Sequence, residues 1–250
     1  MADDSVPDSG SDSERTPQRD SLAQDERTVM RLRLGVGAIG ILLPVALPLG
    51  NWLFAELRGL STAGFWPASM SGSYYTSTRN IFVGSMCALG VFLVCYRFDR
   101  RDDRWSTAAG AFALGVALFP TTPPNATTFA ATIGVLHLIF AGLLMFVLAM
   151  FCVYSFRDPH YAQQPWLSRG YLAAGVLILA LLPVAVAAGV TGVGMDWQIR
   201  PVYLCEWLAT WAFGAAWTAA ALELASTTLS PEGLVPGQPG PHPTGDPHHA

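Results

Sequence analysis

The chain alternates between long apolar runs and short polar segments. A helix rises about 1.5 Å per residue, so most of these runs are long enough to cross a hydrocarbon core of about 30 Å. Their length and continuous apolarity predict transmembrane helices rather than strands. Six such runs are present, from Leu34 to Ala55, Asn80 to Tyr96, Trp105 to Phe119, Thr132 to Phe156, Gly170 to Val190 and Pro201 to Leu222.

Polar tails flank the apolar region at both ends. Residues 1–30 are rich in Asp, Ser, Gln and Arg, and residues 225–250 are rich in Pro, Gly, Thr and His. Neither tail can bury enough apolar surface to offset the entropy of an ordered chain. The sequence therefore predicts an all-α protein: a disordered acidic tail at 1–30, a bundle of six transmembrane helices at 31–224 and a disordered tail at 225–250.

The distribution of arginine predicts the orientation, because short positively charged loops stay in the cytoplasm. On the side of the termini lie Arg27, Arg31, Arg33, Arg97, Arg100, Arg101, Arg104, Arg157 and Arg169. The opposite side has Arg58, Arg79 and Arg200. We therefore expect a multi-pass protein of the cell membrane with both termini in the cytoplasm. The charged turn from Phe98 to Arg104 is interpreted as a solvated cytoplasmic turn.

Composition supports the membrane assignment and argues against several other classes. With 52% hydrophobic and 13% charged residues, the chain is too apolar for a soluble domain. No basic patch interleaved with exposed aromatic residues indicates a nucleic-acid partner. The four cysteines lie in apolar runs and form no C-x-x-C pair. We therefore expect no nucleic acid, no metal and no cofactor, and we expect membrane lipid as a partner.

Two ionisable side chains, His137 and Glu206, lie well inside predicted helices. Such groups are costly in hydrocarbon, so each needs a partner or an aqueous cavity. Under the predicted topology both lie at a similar depth on the extracytoplasmic side. Tyr203 and Thr210, three residues before and four residues after Glu206, share its helix face. This arrangement indicates a polar region in the outer part of the bundle.

The outer end of the second run adds a cation and further hydrogen-bonding groups to this region. One hypothesis is a polar pocket near the outer leaflet that binds a lipid headgroup or a small polar solute. The other is a mutually satisfied network that fixes helix packing. No residue is assigned a catalytic role. The candidate ligand-binding residues are Arg79, Asn80, His137, Glu206, Tyr75, Tyr203 and Thr210.

Short motifs over most of residues 34–224 include Ser71, Ser73 and Tyr74 to Thr76, then Arg79, Phe82 and Gly84, Asp99 to Asp102, Gly115 to Thr121, His137 to Ala141 and Glu206. In these motifs the chain resembles a family of uncharacterised bacterial membrane proteins with six spans. That resemblance implies no established activity. The Ser-rich segment before Arg79 is more remotely similar to DRAM/Frag-like membrane proteins, which would imply a role in lipid or lipid-anchor handling.

Two other classes of function stay open. A proton-coupled transporter of a small solute would use His137 and Glu206, although Pro44, Pro48 and Pro183 do not mark a convincing inverted repeat. A metal-independent lipid hydrolase in the membrane would use the same pair as acid and base, but no activated nucleophile lies beside them. A zinc hydrolase is disfavoured because it needs at least three ligands at one depth.

Overall fold

The computed structural model describes residues 10–59, 64–96, 100–123, 125–157 and 164–228. Within these residues all regular secondary structure is helical. A 3₁₀-helix (Ser71–Tyr75) precedes the second α-helix, and a π-helical turn (Phe151–Ser155) continues the fourth. The α-helices are α1 (Gly10–Leu57), α2 (Arg79–Cys95), α3 (Arg100–Leu118), α4 (Thr128–Met150), α5 (Pro165–Thr191) and α6 (Pro201–Thr228).

Each predicted apolar run corresponds to one of these helices, which confirms the all-helical fold. Three segments of the described chain are long and apolar enough to cross a membrane: Arg27–Leu57, Thr128–Ser155 and Pro165–Thr191. Helix α2 is apolar but has only 17 residues. Helices α3 and α6 are less apolar, since α3 begins with a charged turn and α6 carries two glutamates.

Helix α1 begins at Gly10, well before the apolar run at Leu34. Residues 10–30, predicted as part of a disordered tail, are therefore helical, while residues 1–9 lie outside the described residues. Cooperativity accounts for the part nearest the apolar run: a nucleated helix extends at little further cost through residues 18–30, which include the good helix formers Gln18, Arg19, Ala23 and Glu26. Residues 10–17, with Pro17, contain few good helix formers. At the other end, α6 reaches Thr228, and the rest of the predicted tail lies outside the described residues.

The six helices pack as a closed ring in chain order, in which each helix contacts the next and α6 returns to α1. Gly37 lies against Thr218 and Gly40 against Gly214, so α1 and α6 run antiparallel. A Cβ atom added to Gly40 would lie 2.8 Å from the Cα of Gly214. Glycine is needed at this crossing because the two backbones leave no room for a side chain.

The two ends of the ring differ in composition. Following the predicted orientation, we call the end where α1, α3 and α5 finish the outer end, and the opposite end the inner end. Buried aromatic side chains fill the inner end around Trp217 of α6. The centre of its ring lies 5.1 Å from that of Phe151, 5.0 Å from that of Phe156 and 5.9 Å from that of Tyr96. The outer end instead contains a polar loop.

Candidate functional site

The connection between α1 and α2 covers the outer end of the ring. We refer to residues 64–78 as the outer cap. Met70, Ser73 and Thr78 of this segment are buried, so the cap is packed into the ring rather than extended into solvent. The Ser73 N–H donates to the Met70 carbonyl and the Thr76 N–H to the Ser73 carbonyl, which closes the turns of the 3₁₀-helix. The remaining backbone groups need partners on the surrounding helices.

Glu206 of α6 provides such a partner. Its Oε2 atom accepts a hydrogen bond from the Met70 N–H. Ser71, the next residue of the cap, lies close to the same carboxylate. N–H groups at the start of a helix lack partners within the helix and favour a negative charge, which explains why a carboxylate is present here. Glu206 therefore attaches the cap to α6.

Two further hydrogen bonds attach the cap on other sides. The side-chain amide of Asn51 in α1 donates to the Gly64 carbonyl over 2.8 Å. The Tyr75 hydroxyl donates to the Thr121 carbonyl, in the α3–α4 connection, over 2.6 Å. Partial burial and the neighbouring Tyr74 raise the pKa of the Tyr75 phenol, so it keeps its proton and remains a donor. The cap is thus attached to α1, to α6 and to the α3–α4 connection.

Aromatic side chains complete the attachment. Trp66 of the cap packs on α6, with its ring centre 5.6 Å from that of Tyr203 and 5.3 Å from that of Trp207. The Tyr203 hydroxyl donates to the Pro44 carbonyl of α1 over 2.7 Å. Stacked and edge-on aromatic pairs of this kind add stability beyond their buried area. Trp66 is therefore a second point at which the cap is fixed to α6.

An open pocket of about 530 Å³ lies between the outer end of α1 and the cap. Its size falls within the range typical of small-ligand sites. Within the described part of the chain, no residue accepts a hydrogen bond from the exposed guanidinium of Arg58. Polar walls are supplied chiefly by Asn51 of α1, by Arg58 in the turn that follows α1, and by Trp66, Tyr75, Thr76 and Ser77 of the cap.

Exposed apolar side chains lie on the end of α1 that contributes Asn51 to the pocket. Leu49, Trp52, Leu53 and Leu57 are all exposed, and they lie within the last nine residues of the helix. An exposed apolar surface beside a polar pocket has the character of a site at a membrane interface, where an indole ring is favourable.

Arg79 and Asn80 lie at the start of α2 and are both exposed. The Arg79 guanidinium lies 4.4 Å from the ring centre of Tyr74 and donates to its hydroxyl over 3.0 Å. A cation above an aromatic face is attracted by the ring quadrupole. Arg79 therefore braces the outer surface of the cap, outside the lining of the pocket.

His137 of α4 is fully buried and bonded to α3. Its Nδ1 atom lies 2.6 Å from the Phe119 carbonyl oxygen. A carbonyl can only accept, so Nδ1 carries the hydrogen. Helix α3 ends at Leu118, where backbone carbonyls lack partners within the helix. His137 thus caps the carboxyl end of α3, and its Nε2 atom has no hydrogen-bond partner in the described part of the chain.

The structure divides the predicted site residues among several places. His137 and Glu206 do not bond to each other, since α4 packs on α3 and α5 whereas α6 packs on α1 and α5. Of the seven predicted site residues, only Tyr75 lines the pocket. Glu206 and Thr210 lie beneath the cap, where the Thr210 hydroxyl donates to the Glu206 backbone carbonyl. The pocket residues that the prediction missed are Asn51, Arg58, Gly64, Trp66, Pro67, Ala68, Thr76 and Ser77.

A polar cluster at the inner end was also missed. Arg33 of α1 is only 3% exposed. Its Nε and Nη2 atoms donate to the Tyr96 hydroxyl over 3.1 and 2.6 Å, and its Nη1 atom donates to the Ala220 carbonyl over 3.1 Å. Sequence reasoning treated Arg33 only as a charge that sets topology. The structure shows that it also joins α1 to the end of α2 and to α6.

A second polar contact at the inner end corrects the interpretation of the charged turn. Asp102 is 2% exposed and accepts a hydrogen bond from Ser155 of the π-helical turn over 2.8 Å. The prediction of a solvated turn is therefore wrong for Asp102, because α3 begins at Arg100 and places this carboxylate in its first turn, against α4. Residues 97–99 of the turn lie outside the described residues. Nearby, Tyr171 donates to Glu223 over 3.0 Å.

Across the described residues, no group of three or more His, Cys, Asp and Glu side chains is arranged to hold a metal ion. Comparisons with protein-family models, with curated proteins and with solved structures find no match to this chain. The geometry of the outer pocket is therefore the basis for an assignment of function.

Proposed function

We propose that the protein is a membrane protein of six spans with both termini in the cytoplasm. Support comes from the closed ring in chain order, in which three helical segments are already long and apolar enough to cross a membrane. A helix that packs between spanning helices, antiparallel to them, has to follow the same path. Helix α6 packs between α5 and α1, and the α2–α3 pair packs between α1 and α4.

This topology can be tested by single cysteines labelled with a membrane-impermeant maleimide. The four native cysteines are free thiols and are first replaced by alanine or serine. Ser77→Cys, in the outer cap, should react in intact cells. Thr107→Cys, exposed near the inner end, should react only after permeabilisation. Reaction of both cysteines in intact cells would contradict the six-span topology.

We further propose that the outer pocket binds a lipid headgroup. The observation that supports this is a polar pocket, fixed by the cap attachments, that opens beside the exposed apolar end of α1. Because the walls are held in place, binding would cost little reorganisation of the protein. A headgroup in the pocket would leave its acyl chains against Trp52, Leu53 and Leu57.

The two alternative functions have less support. A proton-coupled transporter or a hydrolase based on His137 and Glu206 would need both groups on one path or at one reacting bond. Instead, His137 bonds to the end of α3 and Glu206 to the cap. Either alternative would require these two attachments to be released first.

A pocket-filling substitution tests lipid binding. Ala68 lines the pocket and is exposed, so Ala68→Trp should fill part of the cavity without disturbing the core. The matched control is Ala187→Trp, on the exposed face of α5. In native mass spectrometry of the purified proteins, bound lipid should be lost from Ala68→Trp and retained by Ala187→Trp. Equal lipid occupancy in both variants would refute this function.

A further inference from the structure

The charge of the pocket points to the class of headgroup. Resting on the proposed function, we infer that the outer pocket selects an anionic, phosphate-bearing group, with the Arg58 guanidinium as its counter-ion. Arg58 is the one charged side chain among the residues that line the pocket, and none of those residues carries a carboxylate. A neutral or cationic ligand would leave this guanidinium without a charge partner.

Glu206 and Glu56, two carboxylates of the outer end, are not part of the pocket lining. Glu206 already accepts from Met70 at the base of the cap. Glu56 is exposed in the last turn of α1 and is not among the residues that line the pocket. Arg79 lies close enough to Tyr75 to act on the phenol electrostatically, so a second cation stands near the pocket. Arg58 in the lining and Arg79 near Tyr75 therefore both favour an anion in the pocket.

The form of the lining also suits a phosphate group. A guanidinium presents parallel N–H donors that match two phosphate oxygens, a geometry that Lys does not provide. The Ser77 hydroxyl, also in the pocket lining, can donate a further hydrogen bond. A guanidinium and a hydroxyl that donate together match the oxygens of a phosphate, which only accept.

The test compares lipids that differ in charge but share acyl chains. The full-length protein in detergent is titrated with phosphatidylglycerol or phosphatidylcholine and followed by native mass spectrometry. We expect phosphatidylglycerol to bind about fivefold more tightly or better, which corresponds to one arginine acting on an anionic lipid. Arg58→Gln should remove this preference. Arg200→Gln, which changes another outer arginine outside the pocket, should keep it.

Further measurements distinguish a failure of the anionic selectivity from a failure of the proposed function. Added sn-glycerol 3-phosphate should not displace the lipid if the apolar end of α1 holds the acyl chains, whereas displacement would identify a free phosphate ester as the ligand of the same site. Equal binding of both lipids, unchanged by Arg58→Gln but blocked by Ala68→Trp, would overturn the anionic selectivity and leave the proposed function intact. Binding that Ala68→Trp does not affect would overturn both.

Discussion

Arg33 and Arg31 offer a sharp comparison between the sequence and the structure. The two residues are separated by one residue on α1, and both count equally as positive charges that set topology. Arg31 is exposed, whereas Arg33 is buried and donates three hydrogen bonds to Tyr96 and Ala220. We therefore predict that Arg33→Met destabilises the fold strongly and that Arg31→Met does not.

The magnitude follows from those hydrogen bonds. Hydrogen bonds between membrane helices contribute about 0.6 to 1.7 kcal/mol each, so the three contacts of Arg33 correspond to roughly 2 to 5 kcal/mol. For a chain of this size, that loss lowers the melting temperature by roughly 4 to 20 °C. An exposed substitution such as Arg31→Met stays within about 0.5 kcal/mol. Arg33→Lys should be intermediate, because it keeps the charge but loses the planar fork of donors.

The assay is thermal unfolding of the purified proteins in one detergent, followed by tryptophan fluorescence or by loss of monodisperse protein on heating. Trp217 lies in the same cluster of buried side chains as Tyr96, so its emission reports on this end of the ring. Equal melting temperatures for Arg33→Met and Arg31→Met would refute the conclusion that the hydrogen bonds of Arg33 to Tyr96 and Ala220 stabilise the bundle.

The remaining predictions concern the cap and the helix contacts. Glu206→Leu should raise the hydrogen-exchange rate of residues 64–78 at least tenfold, because a lost charge-assisted bond costs about 1.5 to 3 kcal/mol; unchanged exchange would contradict the attachment. Gly214→Val should lower stability by about 1 to 3 kcal/mol in thermal unfolding through overpacking, whereas Gly84→Ala, at an open position, should be neutral or stabilising. His137→Leu should increase hydrogen exchange at the carboxyl end of α3, and protection equal to that of the unmodified protein would contradict its capping role.

Sequence reasoning predicts the helices well because apolar runs leave the chain few alternatives. The runs that begin at Asn80 and Pro201 become helices that begin at Arg79 and Pro201. The start of α1 was placed too late, since composition does not register how a nucleated helix extends into a polar segment. Burial of individual charges was not predictable either. Nothing in the local pattern distinguishes Arg33 from its exposed neighbour, because the difference arises from α2 and α6.

The candidate site was likewise predictable from the sequence only in part. The predicted similar depth of His137 and Glu206 does not specify which helices are neighbours, and the ring places other partners beside each residue. Loops are harder still, because a hydrophilic segment can return into the bundle when its N–H groups find a carboxylate, as they do at Glu206. The sequence feature that could have indicated the pocket is Arg58, one of the three arginines predicted on the outer side.

The most direct test of the central claim, a headgroup in the outer pocket, is photocrosslinking in a bilayer. Phosphatidylglycerol carrying a diazirine near its headgroup is incorporated with the full-length protein into nanodiscs, irradiated, and the modified peptides are identified after trypsin digestion. The adducts should concentrate on the peptide between Arg58 and Arg79, which contains the cap, and should fall sharply in Ala68→Trp. Adducts spread over α4 and α5 in proportion to their exposed surface, with no loss in Ala68→Trp, would contradict the claim.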